Sequence, residues 1–332
     1  MTQITLVVPF ALPPAELAPD LVRALQTPAL AALLTRARCK ALPFDDSLRV
    51  LPHEAWLARN LGLSPTGHPA FAAAAMRGFG LEAAGESWFM ISPAHIDIAR
   101  SHLSVGDMRR LQLDDGHARA LYDTARPLFD ELGKTLVYGD AQTWFMRAGD
   151  WHDLQTASPD AAVGLNLTDW LPTGSAAVEF RKLQNEVQML WFEHPSNVAR
   201  EARGLQAINS FWPWAMADAS AAFAFAPSIT CTDMPGWLSA IARPFGHKAG
   251  DSMVVRGELC ESAIGGDWAG WLAHMHHLEQ TMFAPTLAAL KEGHSEKVTL
   301  VLGHRHAHKE FITSKWAQHA FWREPSLTPL LP

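Results

Sequence analysis

Polar side chains suited to binding an anion are concentrated between residues 194 and 210. They are His194, Asn197, Arg200, Arg203, Asn209 and Ser210. Arg200 and Arg203 are three residues apart on a predicted helix, so both guanidinium groups can address one phosphate or carboxylate. A structural role is the alternative, because Asn197 suits a local cap and Arg203 precedes Gly204, where a cation stabilises a helix C-terminus.

The helix predicted just before this segment has a polar stripe. Arg181, Asn185 and Gln188 follow at intervals of four and three residues, beside an apolar stripe that includes Leu183 and Val187. Asn185 and Gln188 are therefore candidate ligand-binding residues in the wall of a pocket. Alternatively, these amides hold neighbouring loops by hydrogen bonds.

Two groups of histidines raise the question of a metal site. His274 and His277 share a face of a predicted long helix, and His304 and His306 point to one side of a predicted extended segment. No Cys, Asp or Glu accompanies them at ligand spacing. A solvated or partly packed role is therefore favoured over zinc binding.

Other catalytic motifs are missing from the sequence. It contains no GxSxG, HExxH or GxGxxG pattern, and the Gly133-Lys134-Thr135 segment has Leu128 where a phosphate-binding loop needs its first glycine. Asp114-Asp115 precedes an amphipathic segment and predicts a helix N-cap rather than a metal loop. No residue is assigned a catalytic role.

The elements that must position these residues follow an α/β pattern. A buried strand over Ile4–Val8 leads into a predicted helix that ends near Gln26, and further helices, the first over Pro28–Arg38, then dominate up to residue 80. Residues 86–147 read as strand, strand, helix, strand, strand, which predicts a small α+β subdomain. We predict a single α/β domain over residues 1–332, with a mixed sheet flanked by helices.

Beyond residue 147, the sequence predicts further helices and strands. Long helices are expected at about Ala176–His194 and Asp267–Leu290, and a strand at Val298–Leu302. A strand over Ala207–Phe211 should lead into Trp212-Pro213-Trp214, and a last helix is expected around Ser314–Trp322.

Composition limits the class of protein. The chain has 332 residues, 48% of them hydrophobic, which is enough to bury a large core. Its net charge of −7 argues against a nucleic-acid partner. The N-terminal apolar run is too short for a signal peptide or membrane span. Three widely spaced cysteines fit a reducing, cytoplasmic location.

Several short segments resemble one family of bacterial proteins. They are Tyr138-Gly139-Asp140, Asp153-Leu154-Gln155-Thr156, Asp169-Trp170-Leu171-Pro172, Leu183-Gln184-Asn185-Glu186-Val187-Gln188-Met189-Leu190, His194-Pro195, Ala202-Arg203-Gly204 and Asn209-Ser210. In these segments the chain resembles the RpfE-type regulatory proteins, over about a quarter of its length. That family is distantly related to the archaeal-type cofactor-independent phosphoglycerate mutases of the alkaline phosphatase superfamily.

The resemblance to the mutases implies a metal-dependent chemistry that this sequence does not match. Such enzymes use a Ser nucleophile and two divalent metals held by Asp and His at strand ends. Here the first strand ends in Pro9-Phe10-Ala11 instead of an Asp-Gly pair, and Gly303-His304-Arg305-His306 replaces a late Asp-His-Gly. Hard divalent ions prefer oxygen ligands, which both positions lack.

Two functions follow as hypotheses. The first is a phosphoglycerate-mutase-like regulatory protein, non-catalytic or catalytically altered, that needs no cofactor and binds a small anionic metabolite or a protein partner. The second is an active mutase or phosphatase that depends on Mn²⁺ or Mg²⁺.

Overall fold

Two β-sheets organise the chain, which the computed structural model describes over residues 2–42, 44–64, 67–98, 103–219, 228–243, 250–320 and 322–332. The strands are β1 (Gln3–Val8), β2 (Arg38–Leu42), β3 (Ser87–Ala94), β4 (Ile96–Ile98), β5 (Leu103–Val105), β6 (Leu136–Asp140), β7 (Thr143–Arg147), β8 (Ser210–Asp218), β9 (Ser228–Thr232), β10 (Ser252–Arg256), β11 (Lys297–Gly303) and β12 (His308–Ser314).

Helices cover the sheets and connect the strands. They are α1 (Ala18–Ala24), α2 (Pro28–Thr35), α3 (Pro52–Asn60), α4 (Ala72–Gly78), α5 (Asp115–Glu131), α6 (Pro159–Ala162), α7 (Leu167–Trp170), α8 (Ala177–Phe192), α9 (Pro195–Ala202), α10 (Gly236–Ala242), α11 (Cys260–Ile264), α12 (Trp268–Leu278), α13 (Ala284–Glu292) and α14 (Lys315–Gln318). A π-helical turn, Glu279–Phe283, joins α12 to α13. No helix in the described ranges is long and apolar enough to cross a membrane.

The larger sheet has six strands in the order β2-β12-β11-β1-β10-β9. Its strands β11, β1, β10 and β9 are parallel, while β12 runs antiparallel to both of its neighbours. The end of β1 is buried on both faces, as expected for a central parallel strand covered by helices on both sides. The predicted α/β class with a mixed sheet flanked by helices is confirmed.

The smaller sheet is antiparallel, with the order β6-β7-β3-β8, and β4 pairs with β5 in a separate hairpin. One hydrophobic cluster joins the two sheets, because Val7 and Val255 of the larger sheet belong to the same core as Met90 and Trp214 of the smaller one. The predicted subdomain over 86–147 contains β3, β6 and β7 but not β8, and four of its residues, 99–102, lie outside the described ranges. Its status as a separate unit, like the single domain over residues 1–332, stays a prediction.

Three predicted boundaries are wrong. Trp212-Pro213-Trp214 lies inside β8, which tolerates a proline because it is an edge strand of its sheet. The expected last helix around Ser314–Trp322 is only the short α14, and β12 precedes it. The helix expected over Pro28–Arg38 ends at Thr35, and Arg38 begins β2.

Candidate functional site

A cavity of about 640 Å³ lies where the two sheets face each other. Asp233 follows β9 and Gly257 and Glu258 follow β10, so the carboxyl ends of two parallel strands form one wall. Ser92 of β3 and Trp214 of β8 belong to the opposite wall. Open α/β sheets bind ligands at this end of their parallel strands, which makes the cavity the best candidate site in the described residues.

Arg109 forms the charged centre of the inner wall. It belongs to a turn of 3₁₀-helix, Met108–Leu111, that Asp107 caps by accepting a hydrogen bond from the Arg109 backbone N–H at 3.0 Å. The guanidinium pairs with Asp107 at 3.0 Å and with Asp160, at the start of α6, at 2.8 Å. Burial lowers the pKa of Arg109, but the two carboxylates more than offset this and hold the guanidinium charged.

Glu54 on α3 contributes a neutral acid to the same wall. Its Oε2 accepts a hydrogen bond from the backbone N–H of Leu51 at 2.7 Å, which fixes the carboxyl group at the start of the helix. Burial, and secondarily the charge of Asp160, raise its pKa to about 8. Burial also lowers the pKa of the neighbouring His53 to about 4. At neutral pH, therefore, Glu54 keeps its proton, whereas Asp160 forms an ion pair with Arg109.

Three buried polar atoms of the cavity-lining residues have no hydrogen-bond partner in the described part of the protein. Two are donors, Nη2 of Arg109 and Nε1 of Trp214, and the third is an acceptor, Oε2 of Glu258. Arg256 donates to the other carboxylate oxygen of Glu258. An unpaired buried polar group costs on the order of 1–3 kcal/mol, so a ligand that paired with these atoms would recover this free energy.

The outer wall is more exposed and more acidic. Arg110 pairs with Glu261 at 3.2 Å, and both side chains are about half exposed. His274 contacts Ser262 through Nδ1 at 3.2 Å. The cavity lining as a whole has two arginines and six carboxyl side chains, which are Glu54, Asp160, Asp233, Glu258, Glu261 and Asp267.

Three of the residues predicted as ligand-binding, Asn197, Asn209 and Ser210, form hydrogen bonds inside the protein and do not line this cavity. Asn197 is fully buried, and its amide bonds the backbone of Trp191 and Ile208 at 2.8 Å. Ser210 accepts a hydrogen bond from Gln184 at 2.9 Å. Asn209 pairs with the backbone of Ile96 in β4. These contacts match the structural role that the sequence analysis gave as the alternative to ligand binding.

Other predicted residues lie outside this group of three. His194 caps α9 by accepting a hydrogen bond from Ser196, and its Nε2 lies 3.1 Å from Oγ1 of Thr124. Arg203, Asn185 and Gln188 are exposed. The contacts do not test whether any of these side chains binds a ligand, so that role stays a prediction.

Arg200 links the predicted segment to the cavity. Its buried guanidinium donates to the carbonyl oxygens of Leu111, Gln112 and Gln206. Leu111 ends the 3₁₀ turn that carries Arg109 and lines the cavity. Arg200 therefore fixes the position of the cavity arginines from behind.

The positions that would hold metal in the mutases do not fit a divalent ion. After β1, the carbonyl of Phe10 accepts a hydrogen bond from the indole of Trp271 at 2.8 Å, and no carboxylate stands there. After β11, Arg305 donates to the carbonyls of Ala161 and Val163. Within the described ranges, no three His, Cys, Asp or Glu residues are grouped to hold a metal, so His274, His277, His304 and His306 do not form such a site.

No sequence pattern marks the residues that build the cavity. Glu54, Arg109, Asp160 and Glu258 are dispersed over most of the chain and match no motif. Asp233 offers one marker in the structure, because it follows β9 with a left-handed backbone, φ 52°. Non-glycine residues seldom adopt this conformation, although Asp tolerates it better than most.

Comparisons with known proteins show similarity of fold. No protein-family model matches the chain, and no curated protein does either. The chain shares its fold with the PH0037 protein of Pyrococcus horikoshii, with a TM-score of 0.53, 10% identity, and coverage of 99% of this chain and 91% of that one. A cofactor-independent phosphoglycerate mutase from Thermoplasma acidophilum DSM 1728 is also similar, with a TM-score of 0.46, 13% identity, and coverage of 99% of this chain and 94% of that one.

Proposed function

We propose that this protein is a catalytically altered, phosphoglycerate-mutase-like regulatory protein that binds a small anionic metabolite in the cavity at the strand ends. The observation that carries the proposal is the set of three buried atoms that have no partner among the described residues, Nη2 of Arg109, Nε1 of Trp214 and Oε2 of Glu258. Ligand pockets usually combine an apolar lining with a few fixed polar groups of this kind.

The charges of the wall define the ligand further. An anionic group suits Arg109 and Arg110, because a charged donor binds phosphate or carboxylate most strongly. The remaining carboxylates need donors, so the ligand must also carry hydroxyl or amino groups. A hydroxylated or amino-substituted phosphate or carboxylate of a few carbons meets both requirements. The sequence resemblance suggests phosphoglycerates as the first probes.

Titration calorimetry with 3-phosphoglycerate tests this assignment. Arg109→Lys keeps the charge but loses the planar fork, and Glu258→Gln converts an acceptor oxygen to a donor, so each should weaken binding about tenfold or more. Arg23→Lys is the matched control, because Arg23 does not line the cavity and forms an exposed ion pair with Asp20 on α1. Thermal unfolding must show that each variant is folded. Wild-type affinity in both cavity variants would refute the assignment.

A second candidate function, association with a protein partner, is favoured by the outer face of α8. Val178, Met189 and Phe192 are 71%, 79% and 76% exposed and lie on one stripe of the helix, together with Asn185. Large exposed apolar side chains grouped in this way mark interaction surfaces. Met189 of this stripe lies within Leu183–Leu190, a segment that resembles the regulatory proteins.

A second copy of this chain fits the charges beside that stripe. Arg181 is exposed towards the start of α8 and Glu193 at its end, while Lys182 pairs with Glu186 and Glu179 accepts a hydrogen bond from Trp151. Antiparallel packing of two α8 helices would bring Arg181 of each copy towards Glu193 of the other.

Sedimentation at increasing protein concentration tests this association. Phe192→Ser should shift the population towards monomer, whereas Trp316→Ser, which removes an equally exposed aromatic side chain on α14, should not. A wild-type protein that remains monomeric at every concentration would exclude a second copy as the partner.

A further inference from the structure

A groove of about 450 Å³ lies at the opposite end of the six-stranded sheet from the cavity. It is bordered by Arg38 at the start of β2, Lys297 at the start of β11 and Ser314 at the end of β12. The four charged side chains that line it are Arg36, Arg38, Lys297 and Arg323, and no Asp or Glu lines it. A chain of net charge −7 thus concentrates positive charge at one place.

Three of these cations have no ion-pair partner in the part of the chain that the structure describes. They are Arg38, Lys297 and Arg323, whereas Arg109 and Arg110 of the cavity are both paired. Like charges held together in a small groove repel one another, so an anion placed among them is stabilised by all of them.

Arg36 adds a positioned donor to the groove. Its Nη1 lies 3.4 Å from both the backbone and the side-chain oxygen of Gln318, and its own carbonyl accepts a hydrogen bond from Thr313 at 3.1 Å. Its Nε is buried and has no partner among the described residues. The guanidinium is therefore held in place with a donor still unused.

We propose that this groove is a second ligand site, separate from the cavity, that binds a small, multiply charged anion bearing phosphate groups. Arginine favours phosphate because its planar donors match two oxygens at once. The groove accounts for four positive charges, so the rest of the surface is more negative than the chain as a whole and repels an extended polyanion. The ligand is therefore a small molecule and not a nucleic acid.

Calorimetric titration with inorganic pyrophosphate at low ionic strength tests the proposal. Arg38→Gln and Lys297→Gln each remove one charge from a side chain that forms no ion pair, and each should weaken binding about tenfold. Arg23→Gln removes the same charge from an exposed site on α1 and should leave the affinity within about twofold of wild type.

A groove double variant separates this site from the one at the strand ends. Arg38→Gln/Lys297→Gln should lose pyrophosphate affinity while its affinity for 3-phosphoglycerate stays within about twofold of wild type. Wild-type pyrophosphate affinity in both single groove variants, or a loss of 3-phosphoglycerate affinity in the double variant as large as its loss of pyrophosphate affinity, would overturn the proposal. A short DNA duplex that bound more tightly than pyrophosphate would overturn the assignment to a small anion.

Discussion

At the scale of single residues, two carboxyl groups in the cavity wall have different environments. Glu54 and Asp160 are both carboxylic acids in the same wall, yet burial raises the pKa of Glu54 to about 8 while Asp160 is paired with Arg109. The protonated Glu54 carboxyl group offers a donor at neutral pH, and the Asp160 carboxyl group that accepts from Arg109 offers an acceptor.

Glu54 also makes stability depend on pH. Its folded-state pKa lies above the ordinary value of 4.5, so unfolding releases a proton between pH 4.5 and about 8, and stability falls as pH rises through that window. His53 acts oppositely between pH 4 and 6.5, because its folded-state pKa is depressed and its unfolded form binds the extra proton. The effect of Glu54 is therefore isolated above pH 6.5.

Chemical denaturation from pH 6.5 to 8 measures this effect. The wild-type free energy of unfolding should fall by up to about 2 kcal/mol because of Glu54, and Glu54→Gln should remove that fall. Glu131→Gln, at an exposed position on α5, should keep it. An unchanged decline in Glu54→Gln would show that Glu54 is ionised in the folded protein.

At the scale of elements, α9 supports the cavity through one side chain. Arg200 connects this helix to the 3₁₀ turn of Arg109 by hydrogen bonds to Leu111 and Gln112. The neighbouring Arg203 lies one turn later on the surface. The two arginines, which the sequence treats as equivalent, therefore have different environments.

Denaturation and ligand titration of Arg200→Gln and Arg203→Gln measure this difference. Arg200→Gln should lower the free energy of unfolding by about 2–4 kcal/mol, because buried carbonyls lose a charged donor, and it should weaken 3-phosphoglycerate binding in the cavity. Arg203→Gln should change stability by less than about 0.5 kcal/mol. If Arg203→Gln alone abolished binding, the ligand would lie at the surface of α9, as the sequence predicts.

Elements with local signals were predicted best. Asp114 caps α5 by accepting a hydrogen bond from the His117 backbone, as its position before an amphipathic segment indicates, and Gly133 ends the helix with φ 66°. Strands β2 and β12 were missed, because their pairing joins residues about 270 positions apart, and no local pattern encodes such a partner.

At the scale of the whole molecule, the candidate site is a product of tertiary structure. Glu54 comes from α3, Arg109 from a 3₁₀ turn, and Glu258 from the end of β10, so no stretch of sequence contains the cavity. The sequence instead identified the segment 184–210, where buried amides and Arg200 join α8, α9 and β8 behind the cavity. The segment singled out from the sequence therefore contains residues that hold the cavity wall in place and does not line the cavity itself.

The fold and the strand ends together define the central claim. The chain keeps an α/β sheet with a cavity at the carboxyl ends of its parallel strands, but Phe10 and Gly303 stand at the ends of β1 and β11 where metal-binding carboxylates would be expected. The binding that we propose for Arg109 and Glu258 therefore requires no divalent ion.

Calorimetric titration of 3-phosphoglycerate into metal-stripped protein, repeated with added Mn²⁺, tests this claim most directly. The metal-free protein should bind 3-phosphoglycerate with 1:1 stoichiometry, and Mn²⁺ should change the affinity by less than about twofold. Binding that appears only after Mn²⁺ is added would refute metal-independent binding, because the ligand would then depend on a metal site that the residues of this cavity do not form.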